Sequence, residues 1–230
     1  MKQHLALFDL DHTLIPIDSD YQWVNFLAQK GKIGDNPKKI KLQNDYLMKE
    51  YNKGLLTVEK STEFMLQFLA KNSPYELAEW HEDFMKYIIR PSIRKEAIDL
   101  VKTHLETNGL CAIVTSTNSF VTEPIARAFG IHNLIATIPE YFLGQYTGKV
   151  HGTPSFREGK VIRVKEWLNS IGRKFSDFSE SFFYSDSIND IPLLEIVTRP
   201  IATNPSPNLR VIAKNQGWEI LDLFNNLKDD

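Results

Sequence analysis

The chain has 230 residues, of which 42% are hydrophobic and 24% charged, so its composition is that of a folded globular protein rather than a disordered, collagen-like or coiled-coil chain. Its 27 basic and 29 acidic residues leave a net charge of −2, without the basic excess typical of proteins that grip nucleic acid through its phosphates. Apolar runs stay below the ~18 residues that span a bilayer, and acids interrupt the first of them, so we expect neither a membrane span nor a signal peptide.

The first predicted element is a short buried strand from His4 to Phe8. A brief apolar run there ends abruptly in acids and a threonine, which indicates a strand that leads directly into a functional loop. That loop begins with Asp9-Leu10-Asp11-His12-Thr13.

A helical block follows the first strand. From Ser19 to Ile89, apolar residues recur at helical spacing and no β-rich run interrupts them. Thr57 and Ser73 are suitable N-caps, and Ser73 is followed by a proline at the first helical position. We therefore predict about four helices, which end where Arg90-Pro91 punctuates the chain.

Beyond that point predicted helices and strands alternate. The predicted helices are 93–106, 119–129, 159–171 and 189–196; the predicted strands are 110–114, 134–137, 181–184 and 200–203, with a hairpin or flap at 141–150. The only cysteine, Cys111, lies in a predicted buried strand; a lone cysteine cannot form an internal disulfide, and a reducing cytoplasm is its natural compartment.

This alternation is typical of a parallel sheet with helices on both faces. The predicted fold is therefore α/β, a Rossmann-like doubly wound parallel sheet, with the helical block inserted after the first strand as an all-helical cap. Residues 1–16 and 90–230 form the predicted core, and residues 17–89 form the predicted cap.

Chemically active side chains follow the carboxyl ends of the predicted strands, where ligands bind in open α/β sheets. They are Asp9, Asp11, Thr115, Ser116, Asp186 and Asp190, with Lys160 at the start of a helix. Clustered carboxylates need a cation, and Mg²⁺ accepts one or two carboxylates beside carbonyl, water and phosphate oxygens. A carboxylate can also attack phosphorus and form an aspartyl-phosphate, a second one can move protons, and hydroxyls and an ammonium can hold the phosphoryl oxygens.

Together these residues resemble the motifs of the haloacid dehalogenase (HAD) superfamily of phosphohydrolases. Asp9-Leu10-Asp11-His12-Thr13 resembles its first motif, Thr115 its second, Lys160 its third, and Asp186 with Asp190 its fourth. The predicted helical insertion resembles the cap of the phosphoserine phosphatase-like subfamily, IB.

Two stretches depart from the phosphoserine phosphatase pattern. They are Thr115-Ser116-Thr117-Asn118 and Tyr184-Ser185-Asp186-Ser187, and both resemble a branch of the subfamily that contains histidinol-phosphate phosphatases. The resemblance therefore puts phosphoserine in doubt as the substrate.

The resemblance implies a role for each acid of the first and fourth motifs. Asp9 would be the nucleophile and Asp11 the general acid/base. Mg²⁺ would be bound by the carboxylates of Asp9 and Asp186 and by the backbone carbonyl of Asp11. Asp190 would support the metal shell or Lys160.

The resemblance also implies that the phosphoryl group is bound by Thr115, Ser116 and Lys160. Asn189 would support the metal-binding loop, or it would be the N-cap of the next helix.

Two residues at the borders of the predicted cap are candidate substrate ligands. Asp18, with its neighbour Asp20, could pair with a substrate ammonium; the alternative is that Asp18 or Ser19 caps a helix. Arg90 could meet a substrate anion, or it could be a hinge or surface charge.

The sequence therefore predicts a Mg²⁺-dependent phosphomonoesterase that acts through an aspartyl-phosphate on a small phosphorylated metabolite, with histidinol phosphate as the first choice. Phosphoserine phosphatase or a general small-metabolite phosphatase is the alternative. A phosphomutase and a receiver-type phospho-signalling domain are further alternatives, although a receiver has no large insertion after its first strand. We expect no nucleic-acid or membrane partner, a cytoplasmic location, and a monomer or homodimer.

Overall fold

The structure, a computed structural model, describes residues 3–34, 36–53 and 55–224. The described strands are β1 (Leu5–Phe8), β2 (Leu110–Asn118), β3 (Asn133–Phe142), β4 (Gln145–His151), β5 (Ser181–Ser185), β6 (Arg199–Thr203) and β7 (Glu219–Leu221). They form one sheet in the order β4-β3-β2-β1-β5-β6-β7, in which only β4 runs antiparallel to its neighbour. The predicted α/β, Rossmann-like fold is confirmed.

The central strand β1 is fully buried, as its uninterrupted apolar sequence predicts. It pairs in parallel with β2 on one side and β5 on the other. The carboxyl ends of these three strands therefore lie side by side.

The helical segment between β1 and β2 contains α1 (Ser19–Gln29), α2 (Pro37–Asn52), α3 (Val58–Ala70) and α4 (Pro74–Phe84). Thr57 caps α3, and Ser73 caps α4 through a capping box with Glu76, as the cap signals predict. The chain does not break at Arg90-Pro91 as predicted. A π-helical turn, Met85–Ile89, continues α4 into the short α5 (Arg90–Ser92), where Pro91 lies in the first turn and needs no amide hydrogen.

The remaining helices of the described chain are α6 (Lys95–Glu106), α7 (Ser119–Ala128), α8 (Glu158–Ser170), α9 (Ile191–Leu194) and α10 (Pro207–Gln216). The helix predicted at 189–196 is instead a 3₁₀ turn, Ile188–Asp190, followed by α9. Both α10 and β7 were absent from the prediction. No helix in the described ranges combines the length and apolarity needed to cross a membrane.

The stretch predicted as a hairpin or flap is a hairpin of β3 and β4. Leu143 and Gly144 form its two-residue turn, both with positive φ, as tight hairpin turns require. At Gly148, with φ +83°, a Cβ would lie 3.3 Å from the Ala70 Cβ of α3, so this glycine permits the close approach of hairpin and helix.

Alternate side chains of β1 enter two buried clusters, one on each face of the sheet. Leu5 and Leu7 pack in a cluster that includes residues of α8, α9 and α10. Ala6 and Phe8 join the opposite cluster, which extends through α1 into the rest of the helical segment. The helical segment is therefore packed against one face of the sheet, next to the carboxyl end of β1.

Candidate active site

A tight loop presents acids at the end of β1. The amides of Thr13, Leu14 and Ile15 all donate to the Leu10 carbonyl, at 3.2, 2.8 and 3.1 Å. The Asp9 amide donates to the Tyr184 carbonyl of β5 at 2.9 Å. The side chain of Asp9 is buried. The turn thus fixes the directions of the carboxylates that follow β1.

The ammonium of Lys160 joins two of the predicted carboxylates. Its Nζ lies 2.8 Å from Asp9 Oδ1 and 2.7 Å from Asp190 Oδ2. Ser185 also donates to Asp190 Oδ2 at 2.7 Å. Burial alone would lower the pKa of Lys160, but the charges of Asp190 and Asp9 outweigh it and raise the pKa, so the ammonium keeps its proton.

Asp186 shares a hydroxyl with Asp9. Thr13 Oγ1 lies 3.3 Å from Asp9 Oδ2 and 3.5 Å from Asp186 Oδ1. Burial raises the pKa of Asp9 to about 7 despite the attraction of Lys160, while burial and the charge of Asp9 raise the pKa of Asp186 well above its usual range. Lys160 therefore does not supply enough positive charge to neutralise both Asp9 and Asp186.

These two carboxylates suit a hard divalent cation. In the part of the chain that the structure describes, no three His, Cys, Asp or Glu side chains form a metal-ligating group by themselves. Mg²⁺ commonly binds through only one or two carboxylates and completes its shell with carbonyl, water and phosphate oxygens. Asp9 and Asp186, two carboxylates that lie near the same Thr13 hydroxyl, match that chemistry.

Asp11 is held at both carboxylate oxygens. Its Oδ1 accepts from the Ser19 amide at 2.8 Å, and its Oδ2 accepts from Thr117 Oγ1 at 2.8 Å. Burial and the charge of Asp18 raise the pKa of Asp11 to about 6. A carboxyl group with such a pKa can both give and take a proton near neutral pH.

Thr115 and Ser116 lie at the end of β2. Thr115 is buried, and its Oγ1 accepts from the Thr117 amide at 3.2 Å. Ser116 is partly exposed and lines the cavity that Asp11 also lines. The strand continues to Asn118 rather than ending at Val114 as predicted, and both residues lie in a stretch where its pairing with β3 is irregular.

A cavity lies between Asp11, the end of β2 and the helical segment, and we refer to it as the acid-lined cavity. Its polar wall consists of Asp11, Asp18, Asp20, Asn44, Ser61, Ser116 and Thr117. Its apolar wall consists of Leu47, Met48, Tyr51, Leu56, Met65 and Phe156. No Lys or Arg of the described residues lines it.

Asp18 is both a helix cap and a cavity residue. It is the N-cap of α1, where its Oδ1 accepts from the Tyr21 amide at 2.7 Å. Asp20 accepts from Asn118 Nδ2 at 3.0 Å. Burial raises the pKa of Asp18 to about 6 and that of Asp20 well above its usual range.

Arg90 and Asn189 lie apart from these acids. Arg90 is exposed and lines a separate groove between α4 and α7, with Glu82 and Arg127, so the structure does not bring it to the acid-lined cavity. Asn189 is not the N-cap of a helix, which corrects that alternative. It lies inside the 3₁₀ turn, where its amide donates to Ser187 Oγ at 3.2 Å and its Oδ1 accepts from Arg157 Nε at 3.2 Å.

The candidate site also contains residues that were not predicted from the sequence. Thr13, Thr117 and Ser185 hydrogen-bond the carboxylates, and each stands inside a motif stretch, so the hydroxyl-rich motifs carried a signal for them. Asn44 and Tyr51 reach the cavity from α2. Their sequence surroundings give no such signal, because only the packing of α2 over the sheet brings them there.

Comparison with known proteins identifies the family of the chain. Residues 6–195 match the family described as "haloacid dehalogenase-like hydrolase". The fold and the clustered acids are those of a phosphate-processing hydrolase, and the chain belongs to the haloacid dehalogenase-like hydrolase family.

Among curated proteins, the chain is 39% identical to the histidinol-phosphatase of Neisseria meningitidis serogroup C (strain 8013), over 96% of this chain and 99% of that protein. It is 28% identical to a phosphoserine phosphatase of Mycobacterium tuberculosis, over 94% of this chain and 70% of that protein. The protein is a phosphatase of the HAD family, an enzyme that acts on small phosphorylated substrates.

Among solved structures, a protein of unknown function from Bordetella pertussis Tohama I is 61% identical and has a TM-score of 0.93, over 97% of this chain and all of that one. A substrate-bound phosphoserine phosphatase is 20% identical, with a TM-score of 0.69 over 96% of this chain and 94% of that one. At that identity the second likeness concerns the fold alone.

Proposed function

We propose that the protein hydrolyses histidinol phosphate, a small phosphomonoester that carries an ammonium group and an imidazole ring but no carboxylate. The observation that carries this proposal is the acid-lined cavity, which presents three aspartates and no Lys or Arg within the described chain. The 39% identity to a histidinol-phosphatase over almost the whole chain supports the same substrate.

Phosphoserine fits this cavity less well because it carries a carboxylate beside its ammonium. Like charges brought together in a binding site cost several kcal/mol, and Asp18 and Asp20 would face that carboxylate. Arg90, the predicted partner for a substrate anion, lines a different groove. The apolar wall, which includes Met48, Tyr51 and Phe156, instead offers a surface for an imidazole ring.

In the proposed reaction, Asp9 attacks phosphorus and forms an aspartyl-phosphate, while Asp11 protonates the departing alcohol. Asp11 then removes a proton from water, which attacks phosphorus, releases inorganic phosphate and regenerates Asp9. A bound Mg²⁺, held by Asp9, Asp186 and the Asp11 carbonyl, would supply positive charge against the phosphoryl oxygens.

The remaining site residues hold and neutralise the phosphoryl group. Thr115, Ser116 and Lys160 would donate hydrogen bonds to its oxygens, and Lys160 would also offset its negative charge. Asp190 fixes Lys160 through the 2.7 Å contact. Asn189 fixes the loop that carries Asp186 through its bond to Ser187.

We also propose that residues 17–89 act as a cap that limits the site to small substrates. Helices α1, α2 and α3 contribute much of the cavity wall, so a folded protein could not present a phosphorylated side chain there without their displacement. The cytoplasmic location and the choice between monomer and homodimer stay predictions.

The direct test is phosphate release by the purified protein with Mg²⁺ from histidinol phosphate, phosphoserine and p-nitrophenyl phosphate. We expect kcat/KM for histidinol phosphate to exceed that for phosphoserine by roughly 100-fold or more, because the site would reject a misplaced charge. Equal or better turnover of phosphoserine would contradict the substrate and favour the phosphoserine phosphatase alternative. Hydrolysis of the aryl ester alone would leave only the phosphatase class.

A further inference from the structure

Asn44 of α2 has an unusual environment. The residue is 1% exposed, and its Nδ2 donates to the Tyr21 carbonyl of α1 at 3.0 Å. A carbonyl can only accept, so the amide nitrogen must face Tyr21 and the amide oxygen must face away. That oxygen, Oδ1, is buried and has no hydrogen-bond partner. A buried acceptor without a donor calls for an explanation, and a bound ligand is one.

The unpartnered amide belongs to the acid-lined cavity, together with Asp18 and Asp20. All three side chains offer hydrogen-bond acceptors, and of the nearby hydroxyls Thr117 already donates to Asp11. No Lys or Arg of the described residues lines this cavity, and the hydroxyls of Tyr51, Ser61 and Ser116 bring no positive charge to its acceptors. A ligand that satisfies them must bring several N–H donors and a positive charge, which is the chemistry of an ammonium group.

These acceptors are also held in a fixed arrangement. Tyr21 ties the two helices together twice, because its carbonyl accepts from Asn44 and its hydroxyl donates to Asp45 Oδ1 at 2.7 Å. The same residue's amide fixes Asp18. One residue of α1 thus sets the positions of acceptors from both helices, and preorganised acceptors bind a cation without an ordering cost.

We infer that Asn44 is a specificity-determining residue whose Oδ1 accepts a hydrogen bond from the substrate ammonium, beside the carboxylates of Asp18 and Asp20. This inference rests on the proposed function, which places the phosphoryl group at Asp9. An amide contributes an acceptor without a further negative charge, so it selects the N–H donors of an ammonium without adding to the repulsion between the acids.

The test compares one ester that has an ammonium with one that lacks it, in wild type and Asn44→Leu. Leucine has a similar volume and no acceptor. We expect kcat/KM for histidinol phosphate to fall roughly 10- to 100-fold, mainly through KM, while kcat/KM for p-nitrophenyl phosphate stays within roughly threefold. The deaminated analogue of histidinol phosphate should lose little in the variant, since it has no ammonium to lose.

Asn25→Leu is the matched control. Asn25 lies on α1, its Oδ1 is also buried without a partner, and it does not line the acid-lined cavity. We expect it to leave the ratio of the two substrates unchanged. Asn44→Ala serves as the second variant in case Asn44→Leu does not fold, as judged by thermal unfolding.

The two proposals fail in different ways. If histidinol phosphate remains the preferred wild-type substrate but the Asn44 variants lower both esters equally, or lower neither, the inference about Asn44 is overturned alone. The same holds if Asn25→Leu shifts the ratio as strongly. If wild type prefers the ammonium-free ester to every ammonium-bearing one, the proposed function is overturned and the inference with it.

Discussion

Asp9, the proposed nucleophile, has a different neighbour at each of its carboxylate oxygens. Lys160 contacts one of its oxygens, and Thr13 lies 3.3 Å from the other. Both contacts lie in a buried region, where charges interact more strongly than in water. Since burial raises the pKa of Asp9 to about 7, the neutral and charged forms are close in free energy until a cation or a substrate shifts the balance.

Replacement of Asp9 by Asn should abolish turnover and preserve the fold. An amide cannot attack phosphorus, so we expect kcat to fall by roughly 1,000-fold or more. Thermal stability should stay the same or rise slightly, because the substitution removes a carboxylate that lies beside Asp186. Phosphate release and the thermal midpoint measure the two effects. A variant that keeps more than about a tenth of the wild-type rate would exclude the covalent route.

Replacement of Lys160 by Met should both inactivate and destabilise the protein. It leaves Asp9 and Asp190 buried without their cation, and breaking a buried ion pair from one side costs about 3–5 kcal/mol. The measurement is urea unfolding, with Lys165→Met, an exposed lysine of the same helix, as control. Similar unfolding midpoints for the two variants would show that Lys160 does not neutralise the cluster.

At the scale of single residues, prediction from the sequence succeeds for side chains that follow strands. Asp9, Thr115 and Asp186 follow the carboxyl ends of neighbouring strands or close them, and topology then brings them together. It fails for Arg90, because the course of the chain through the π-helical turn decides which groove an arginine lines. It also does not identify Asn44, which reaches the cavity through the packing of α2 on α1.

At the scale of elements, α2 connects the helical segment to the chemistry of the sheet. Its Tyr51 lines the acid-lined cavity, close enough to Asp186 and Asp9 for their charges to act on its hydroxyl. Burial and the charges of Asp186 and Asp9 raise the pKa of Tyr51 well above its usual range, so its hydroxyl keeps its proton. The helix therefore contributes a neutral polar group to the acid-lined cavity.

Replacement of Tyr51 by Phe should lower kcat/KM and leave the fold intact. The ring and its packing remain, whereas the hydroxyl that lies near the acids, and any hydrogen bond it makes in the site, is lost. A neutral hydrogen bond contributes about 0.5–1.5 kcal/mol, which corresponds to a roughly two- to tenfold loss. Tyr46→Phe on the same helix, where the side chain is exposed, should have no effect. Equal activity of the two variants would remove Tyr51 from the site.

Elements with a strong periodic signal were predicted well, and those defined by tertiary contacts were not. The strands β1 and β5 and the helices α1 to α4 follow their apolar patterns and caps. Both β2 and β3 extend beyond their predicted ends, because pairing resumes after an irregularity: Asn118 pairs with Thr137, and Tyr141 pairs with Tyr146. Hydrogen bonding between strands, rather than apolar character, sets these ends.

At the scale of the whole molecule, the carboxylates of Asp9 and Asp186 lack enough positive charge nearby. We therefore predict that activity depends on a divalent cation. Chelation by EDTA should abolish activity, and added Mg²⁺ should restore it. Ca²⁺ should inhibit, because it prefers more ligands and a looser geometry. Mg²⁺ should also raise the thermal midpoint of wild type, since it would relieve the repulsion between Asp9 and Asp186, and this gain should be lost in Asp186→Asn. Full activity in EDTA would overturn the assignment of these residues to a metal.

The stability of the folded protein should also depend on pH, through a histidine on the opposite face of the sheet from α8. His104 Nε2 is 2.7 Å from the Tyr184 hydroxyl, and its Nδ1 is 3.0 Å from His4 Nε2. Burial, and to a smaller extent the charge of His4, lowers the pKa of His104 to about 4. The unfolded chain, in which the histidine pKa is about 6.5, therefore takes up this proton first as the pH falls.

His104 should thus destabilise the folded protein progressively between pH 6.5 and about 4, and have no such effect above pH 6.5. The expected loss at pH 5 is on the order of 1–2 kcal/mol. The active-site carboxylates act in the opposite direction: burial raises the pKa of Asp9 and Asp11, so the folded state binds those protons first and gains stability as the pH falls. Wild type alone therefore cannot isolate the histidine.

The comparison with His104→Gln isolates it, because glutamine can still hydrogen-bond but does not titrate, and the carboxylates are common to both proteins. We expect the free energy of unfolding of wild type, relative to the variant, to fall between pH 7 and pH 5 in urea titrations with saturating Mg²⁺. His132→Gln, at an exposed histidine, should show no such change relative to wild type. A difference between wild type and His104→Gln that stays constant across this range would mean that His104 is protonated as easily in the folded protein as in the unfolded chain.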